Sequence, residues 1–262
     1  MPELPDVAYL QSYLEATSLN QPIEAVEVNA PRLLRGITAE ELREALLGRK
    51  LARTHRHGKY LLAQLGPGGG WLALHFGMTG WLHYAAAGEA APPNIRLLLR
   101  LAGGRLLAYT SRRMLGGVWL VGSPEELVRE RNLGPDALAI GANDFRRLLA
   151  AHARLLKPLL MDQHLLAGIG NVYADEILFQ AAVHPLRLAS ALSEEEAERL
   201  FSSLRHVLAE AASRQADPQR FPAGWLTPRR RAGRPCPRCG GRITRLEIGG
   251  RGAYLCPACQ RR

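Results

Sequence analysis

The hydrophobic residues of the first half of the chain follow two different periods. Val7, Leu10 and Leu14 lie three and four residues apart, a spacing that predicts an amphipathic helix from about Asp6 to Thr17. Short apolar runs separated by turn residues follow it and predict strands. These runs are residues 23–28, 50–55, 59–65, 71–76, 81–84, 95–101, 105–109 and 118–121. Residues 1–125 are therefore predicted to form a β-sandwich that carries an N-terminal helix.

Helical spacing dominates from residue 126 to about residue 215. Ser193 and Glu196 have the spacing of a capping box, and the apolar positions after them predict a long helix to about Ser213. Shorter helices are predicted at residues 144–153, 157–163 and 172–180. Glycine and proline at residues 133–136 predict a linker between domains. The predicted fold class is α+β, with the sandwich, a helical domain at 126–215 and a third segment at 216–262.

All four cysteines lie in the third segment, as the pairs Cys236/Cys239 and Cys256/Cys259. Two Cys-x-x-Cys pairs separated by sixteen residues are typical of a tetrahedral zinc site with four thiolate ligands. Two disulfides are the alternative, which a reducing cytoplasm disfavours. Because four thiolates leave no open coordination position, the prediction is one structural zinc ion.

The residues between the two cysteine pairs have the pattern of a β-hairpin. Strands are predicted at residues 242–247 and 253–255, which makes the segment a zinc ribbon. Its tip, Gly249–Gly252, is predicted to present Arg251 on a flexible turn.

The positive charge of the chain is concentrated at its C-terminal end. The net charge is +10, and residues 229–262 contain ten arginines against the single acid Glu247. Such a concentration suits a polyanionic partner, although a solvated basic tail is the simpler alternative. The sequence has no apolar run long enough to span a membrane and no secretory signal, which predicts a cytoplasmic protein without a membrane partner.

The first residues combine an amine nucleophile with an acid. Removal of Met1 would leave Pro2 as a secondary amine beside the Glu3 carboxylate. Such an amine condenses with an aldehydic carbon to an iminium, which is already cationic and acts as an electron sink. The alternative is a stiff, extended segment that leads into the first helix.

Residues 160–171 contain a second motif that predicts a binding site. A Gly-x-Gly turn precedes Asn171 at the predicted start of a helix. Bare backbone N–H groups and the helix dipole at this point predict an anion site for a phosphate. A plain helical hairpin in which Asn171 is only a cap is the alternative.

Several motifs occur in the order found in one known family, over nearly the whole chain. They are residues 2–5 (Pro-Glu-Leu-Pro), 58–62 (Gly-Lys-Tyr-Leu-Leu), 75–80 (His-Phe-Gly-Met-Thr-Gly), 133–135, 162–171, 184–185 and the ribbon ending at 259–260. With them the sequence resembles the formamidopyrimidine-DNA glycosylase/endonuclease VIII family, most closely its MutM-like branch. The resemblance implies a monomeric, bifunctional DNA glycosylase and AP lyase of the bacterial nucleoid. Its partner would be double-stranded DNA with damaged bases or abasic sites.

The resemblance also implies roles for individual residues. Pro2 would attack C1′ of the damaged nucleotide, Glu3 would assist ring opening and proton transfer, and β,δ-elimination would follow. Lys59 matches a lysine near the active site, where an ammonium would hold a phosphate and lower the pKa of Pro2. Arg251 is implied to belong to this catalytic set and to hold a phosphate beside the lesion. The other matching positions are implied to contact DNA: Asn171 at a phosphate beside the lesion, together with Lys157 and His75.

Extruding a base requires side chains that fill the space it leaves. Met78 matches one of the family's three inserting residues, while Arg113 and Leu115 align with the other two, an arginine and a phenylalanine. Leucine fills space but does not stack on bases.

Two departures from the family pattern concern the choice of lesion. Residues 214–235 are shorter and richer in proline and arginine than the family's lesion-capping loop, with Arg231 roughly in place of a family arginine, and Asp6 replaces the usual glutamate. Formamidopyrimidine and 8-oxoguanine type purines are the first expectation and oxidised pyrimidines the second. A non-catalytic binder of damaged DNA is a further alternative. A zinc-ribbon adaptor is a more distant one, which the set of Pro2, Glu3 and Lys59 argues against.

Overall fold

The computed structural model describes residues 1–86, 88–90 and 92–261. It confirms the predicted α+β fold class and divides the chain into two compact units. The first comprises Met1–Pro2 and Asp6–Arg131, and the second comprises Glu3–Pro5 and Asn132–Arg262. The chain thus enters the second unit at Glu3 and returns to the first at Asp6. Among the described residues, none of the helices is both long and apolar enough to span a bilayer.

The first unit is a sandwich of two antiparallel sheets. Its helices are α1 (Leu4–Thr17, whose first two residues belong to the second unit), α2 (Ala39–Leu46) and α3 (Pro124–Glu130). Its strands are β1 (Ile23–Val28), β2 (Thr54–His57), β3 (Tyr60–Gln64), β4 (Trp71–His75), β5 (Gly80–Ala85), β6 (Ile95–Leu101), β7 (Arg105–Ser111) and β8 (Gly117–Val121). One sheet has the order β1-β6-β7-β5 and the other has the order β2-β3-β4-β8.

The alternation of side chains along β3 shows how the sandwich is filled. Leu61 and Ala63 point into the core between the sheets, which also receives residues of α1. Leu62 lies between these two residues and points to the opposite face of the sheet. It belongs to a separate cluster there, which Leu127 of α3 helps to cover. Both faces of this sheet are therefore buried, and the strand is apolar on both sides.

The strand predicted at residues 59–65 begins at Tyr60 in the structure, so the candidate site residue Lys59 lies outside it. Lys59 lies in the turn of the β2–β3 hairpin, where His57 pairs with Tyr60. Gly58 in the same turn has φ 55°, a conformation that favours glycine and turns the chain in two residues. The predicted strand at 50–55 is likewise displaced to Thr54–His57.

The second unit is helical with an added ribbon. Its elements are α4 (Ala142–Ala150), α5 (Leu156–Leu160), α6 (Asn171–Gln180), α7 (Glu194–Ser213), β9 (Thr244–Ile248) and β10 (Arg251–Leu255). The predicted capping box of Ser193 and Glu196 is present at the start of α7. The apolar stripe of α7 packs into the core of this unit with α6, and its members are fully buried: Leu200, Leu204, Val207, Leu208 and Ala211.

The segment between α7 and the ribbon is packed against the helices rather than extended into solvent. Trp225 and Leu226 are buried, and the ring centroids of Trp225 and Phe221 lie 4.9 Å apart. The buried carboxylate of Glu176 in α6 accepts hydrogen bonds from Leu226 N at 3.1 Å and Thr227 N at 2.6 Å. The Thr227 hydroxyl donates a further bond to it at 2.6 Å. Gln180 of α6 also donates to it at 2.7 Å, but the other three donors are groups of the segment, so this carboxylate anchors the segment.

Replacing Glu176 by glutamine tests this anchor. The Glu176→Gln amide would turn an NH2 group toward backbone N–H donors, and unpaired buried groups cost about 1–3 kcal/mol. We expect a lower thermal midpoint and faster proteolysis within residues 214–235. Glu198→Gln, at a half-exposed ion pair with Arg146, is the matched control and is expected to have little effect. Equal stability of the two variants would contradict the anchoring role.

Candidate functional site

The carboxylate of Glu3 occupies the N-terminus of α6. Its side chain is 2 % exposed, and its oxygens accept hydrogen bonds from Gly170 N at 2.8 Å, Val172 N at 2.9 Å and Tyr173 N at 3.2 Å. Unpaired N–H groups and the positive end of the helix dipole favour an anion at this position. The residue next to Pro2 is therefore fixed by a charged, buried contact.

The turn before α6 is shaped to receive this segment. Leu4 N donates to the carbonyl of Gly168 at 3.0 Å. A Cβ at Gly168, which has φ 119°, would lie 3.0 Å from Cβ of Leu4, and one at Gly170 would overlap the Glu3 side chain. The amide of Gln163 holds the turn by donating to the carbonyls of Met161 at 2.8 Å and Ile169 at 2.9 Å. Both glycines are thus required by close approach of the N-terminal residues.

The expectation of bare N–H donors at Asn171 is wrong in one respect. Gly170 is the N-cap and Asn171 is the first residue of α6, and Glu3 already takes the N–H groups of Gly170, Val172 and Tyr173. The side-chain oxygen of Asn171 is buried without a hydrogen-bond partner among the described residues. A phosphate could meet Asn171 only through the N–H donors of its side chain, because the side-chain oxygen is an acceptor and Glu3 takes those three backbone groups.

Lys157 lies inside the second unit, in a network of buried charges. Its ammonium is 2.7 Å from Asp175 and donates to the carbonyl of Gly252 at 2.8 Å, and both charged side chains are 1 % exposed. Arg230 donates to the same carboxylate from Nε at 2.8 Å and lies 4.6 Å above the ring of Tyr254. A direct contact of Lys157 with DNA, which the resemblance implied, does not fit this burial.

Neither Asp175 nor Arg230 was predicted from the sequence as a site residue. Asp175 lies in the apolar run of α6, and no basic residue lies three or four positions away from it. An acid in such a position is itself a signal of a buried ion pair. Burial raises the pKa of Asp175 and lowers the pKa of Lys157, while the attraction between the two charges acts against both shifts. Arg231, the arginine chosen from the sequence, is exposed, and its neighbour Arg230 enters the network.

Arg251 is the first residue of β10, not part of the hairpin tip. It pairs with Ile248, and the turn consists of Gly249 and Gly250 alone. Its exposed side chain borders a cleft of about 310 Å³ that is also lined by Arg154, Gln163 and His164. A strand fixes the backbone of Arg251 more firmly than the predicted flexible turn.

The four cysteines form the site that their spacing predicted. The sulfurs of Cys236, Cys239, Cys256 and Cys259 all lie within 4.8 Å of one another. Two of the pairs are 3.8 Å and 3.6 Å apart, which fits a tetrahedral zinc ion with Zn–S bonds of about 2.3 Å. Arg238 N donates to Cys236 Sγ at 3.4 Å, as expected for a thiolate ligand. A zinc ion bound here would hold the ribbon together.

The first unit places Lys59 and His75 near the β2–β3 turn. Lys59 is 8 % exposed, and its charge helps to lower the pKa of His75. Burial is the main cause, and together these effects lower that pKa to about 4. Gly77 N donates to Nδ1 of the imidazole at 3.3 Å, so the neutral ring carries its proton on Nε2. His75 can therefore donate a hydrogen bond to a phosphate without being charged.

The predicted inserting residues are presented by two loops of the first unit that pack together. Arg113 N donates to the hydroxyl of Thr79 at 2.9 Å, and a Cβ at Gly77 would overlap the backbone of Leu115. Met78 is 41 % exposed and Leu115 is 53 % exposed, unusually high for large apolar side chains. These loops thus carry exposed apolar groups beside an arginine.

Fold and site together define a helix-two-turn-helix protein with an N-terminal β-sandwich and a zinc finger. Three family models match it: the formamidopyrimidine-DNA glycosylase N-terminal domain over residues 1–118, the formamidopyrimidine-DNA glycosylase H2TH domain over 133–222, and the zinc finger found in FPG and IleRS over 233–262. The chain belongs to the formamidopyrimidine-DNA glycosylase family.

Individual relatives agree with this assignment over the full length. The formamidopyrimidine-DNA glycosylase of Pelotomaculum thermopropionicum is 36% identical over 276 residues, covering 100% of this chain and 99% of the relative. The enzyme of that name from Thermus thermophilus is 39% identical, covering 99% of this chain and 98% of the relative. The structure of the Lactococcus lactis Fpg bound to abasic-site DNA matches with a TM-score of 0.89 at 28% identity, covering 99% of this chain and 100% of that one.

A methyl group at Gly170 should displace the Glu3 carboxylate. We expect Gly170→Ala to expose the N–H groups of Val172 and Tyr173, seen as faster hydrogen exchange, and to lose about 1–3 kcal/mol of stability. Gly224→Ala is the matched control, because a Cβ there meets nothing within 4 Å. Unchanged exchange at Val172 in Gly170→Ala would contradict the contact.

His75 should make stability depend on pH below neutrality. Because the pKa falls from 6.5 to about 4 on folding, only the unfolded chain takes up a proton between these values. This contribution to stability is complete above pH 6.5 and is lost as the pH falls to about 4. We expect His75→Asn, which keeps an acceptor for Gly77 N–H, to lose less stability than the wild type between pH 7 and about 4.5 in urea unfolding. His206→Asn, at an exposed position, should follow the wild type, and parallel losses in all three proteins would contradict the prediction.

Proposed function

We propose that this protein is a DNA glycosylase with AP lyase activity, which excises oxidised or ring-opened bases through a Schiff base on Pro2. The observation that carries the proposal is the buried contact of Glu3 with the N-terminus of α6. It holds a carboxylate beside Pro2, which becomes a secondary amine once Met1 is removed. The family membership and the DNA complexes of relatives support the same reaction class.

The chemistry begins at the nitrogen of Pro2. Its lone pair forms a bond to C1′ while the glycosidic bond breaks and its electron pair leaves with the base, which takes up a proton. Glu3 accepts the N–H proton of the adduct and passes it to O4′ as the C1′–O4′ bond opens. The product is an iminium between C1′ and Pro2. Its positive charge is permanent, because proline is a secondary amine.

Strand cleavage follows from the acidity that the iminium gives to C2′. Loss of a C2′ proton expels the 3′ phosphate by β-elimination, and a second loss of a proton expels the 5′ phosphate by δ-elimination. Water then hydrolyses the Schiff base and regenerates Pro2. In this scheme Lys59 balances phosphate charge and keeps Pro2 unprotonated, because a nearby cation lowers the pKa of an amine.

The remaining candidate residues are assigned to DNA binding. Asn171 and Arg251 would hold phosphates beside the lesion, and His75 would donate to a further phosphate. Met78, Arg113 and Leu115 would fill the space left by the extruded nucleotide. The ribbon's zinc would hold Arg251 in place and take no part in bond breaking.

We propose a range of lesions rather than one. The Lactococcus lactis relative has been solved with Fapy-dG DNA and with DNA containing an oxidised pyrimidine. In this chain, residues 214–235 are held against the helices by Glu176 and Trp225, which leaves little free length to fold over a base. Both ring-opened purines and oxidised pyrimidines are therefore proposed substrates, to be compared on duplexes that each contain a single lesion.

Borohydride trapping tests the proposed nucleophile. Wild-type protein incubated with abasic-site duplex and borohydride should give a covalent adduct. Pro2→Gly should reduce trapping by at least about 100-fold, because a primary amine gives an imine that must first be protonated. Pro93→Gly, in an exposed turn, should trap like the wild type.

Three outcomes separate the alternatives. Trapping that depends on Pro2 supports the enzyme. Binding of abasic DNA by wild-type protein without any trapping would indicate a non-catalytic binder. Full trapping by Pro2→Gly, with the DNA attached outside the N-terminal peptide, would show that another amine is the nucleophile.

A further inference from the structure

The buried charges around Asp175 lie between the two residues proposed to hold the lesion's phosphates. We infer that Asp175 and Arg230 are positioning residues, which hold the backbone of Asn171 and of β10 so that Asn171 and Arg251 meet the DNA together. The inference rests on the proposed function. It concerns two side chains that themselves need not touch DNA.

Arg230 connects the two phosphate-binding residues directly. One of its guanidinium nitrogens donates to the carbonyl of Asn171 at 3.2 Å and lies 3.4 Å from the carbonyl of Gly252, the residue after Arg251. The guanidinium is planar and carries donors in fixed directions, so it sets the spacing of the two carbonyls. Lys157 donates to the same Gly252 carbonyl at 2.8 Å.

Asp175 fixes β10 at a second point. Its Oδ2 accepts a hydrogen bond from Tyr254 N at 3.1 Å, and Arg230 stacks on the ring of Tyr254. Gly252 and Tyr254 are thus held from α6 and its neighbours on either side of Ala253, which is itself fully buried. A strand segment held at two points cannot rotate, which fixes the direction in which Arg251 leaves the backbone.

The charges explain why Asp175 is needed. Lys157 is buried and Arg230 is 17% exposed, so two cations share one 1% exposed carboxylate. Without the carboxylate the two cations would repel each other in a medium of low dielectric. The excess positive charge also lies beneath the surface where DNA phosphates are proposed to bind.

An alternative is that Arg230 simply adds one more positive charge for the DNA. This alternative predicts that lysine at position 230 suffices and that its effect is independent of Arg251. Positioning predicts the opposite on both points. A lysine lacks the planar donor geometry of the guanidinium and its stacking on Tyr254, and the effect must pass through Asn171 and Arg251.

The test is a double-mutant cycle on DNA binding by the full-length, zinc-loaded protein. The probe is a duplex with a tetrahydrofuran abasic analogue, titrated at several salt concentrations. We expect Arg230→Met and Arg230→Lys each to weaken binding by about 10-fold, and by less than about 2-fold in a background that carries Asn171→Ala and Arg251→Ala. We expect the number of ions released on binding to fall by about one in Arg230→Met, and by the same amount in Arg251→Ala.

Controls separate positioning from folding and from charge. Arg229→Met removes a charge from an exposed neighbour and should change the affinity by less than about 2-fold. Zinc content and thermal midpoint are measured for every variant. If Arg230→Met loses zinc, the positioning role is judged from Arg230→Lys alone, because that variant keeps the charge balance with Asp175.

The outcomes distinguish this inference from the proposed function. Equal losses in the wild-type and the Asn171→Ala, Arg251→Ala backgrounds, or full affinity of Arg230→Lys, would overturn the positioning role alone. Absence of covalent trapping by the wild-type protein, measured on the same preparations, would overturn the proposed catalysis. The double-mutant cycle on DNA affinity could still be interpreted in that case.

Discussion

The contact between the Glu3 carboxylate and the first N–H groups of α6 determines how the N-terminus can act. A buried carboxylate is costly to desolvate, and here the cost is offset by three backbone hydrogen bonds and the helix dipole. Gly168 and Gly170 leave space for Leu4 and Glu3, so the turn before α6 is built around these residues. The nitrogen of Pro2 is one peptide unit away from this anchor, which suits a chain end that must present a nucleophile reproducibly.

The same helix organises the rest of the second unit. Glu176 on α6 anchors the segment that leads to the ribbon, and Asp175 beside it gathers Lys157 and Arg230 against β10. Three acidic groups at or near α6 therefore each fix a different segment of the chain: the N-terminus, the connecting segment and the ribbon. In the proposed enzyme these segments carry the nucleophile, border the extruded base and hold the phosphate.

Local sequence signals predicted the parts of this structure that depend on local interactions. The capping box at Ser193 gave the start of α7, and the cysteine spacing predicted the thiolate cluster. The sequence could not show that Glu3 fills the anion site at α6, because that contact joins residues more than 160 positions apart. For the same reason Asp175 and Arg230 were missed and Lys157 was expected to meet DNA. Lys59 was placed in a strand because its apolar neighbours concealed a two-residue turn.

In the proposed mechanism the anchored N-terminus provides the nucleophile. The most direct measurement is mass spectrometric mapping of the wild-type protein after borohydride fixes it to abasic-site DNA. We expect a sugar-derived mass on the N-terminal peptide, which begins at Pro2 after loss of Met1. A modification on Lys59 or Lys157, or an adduct on protein that still carries Met1, would contradict it.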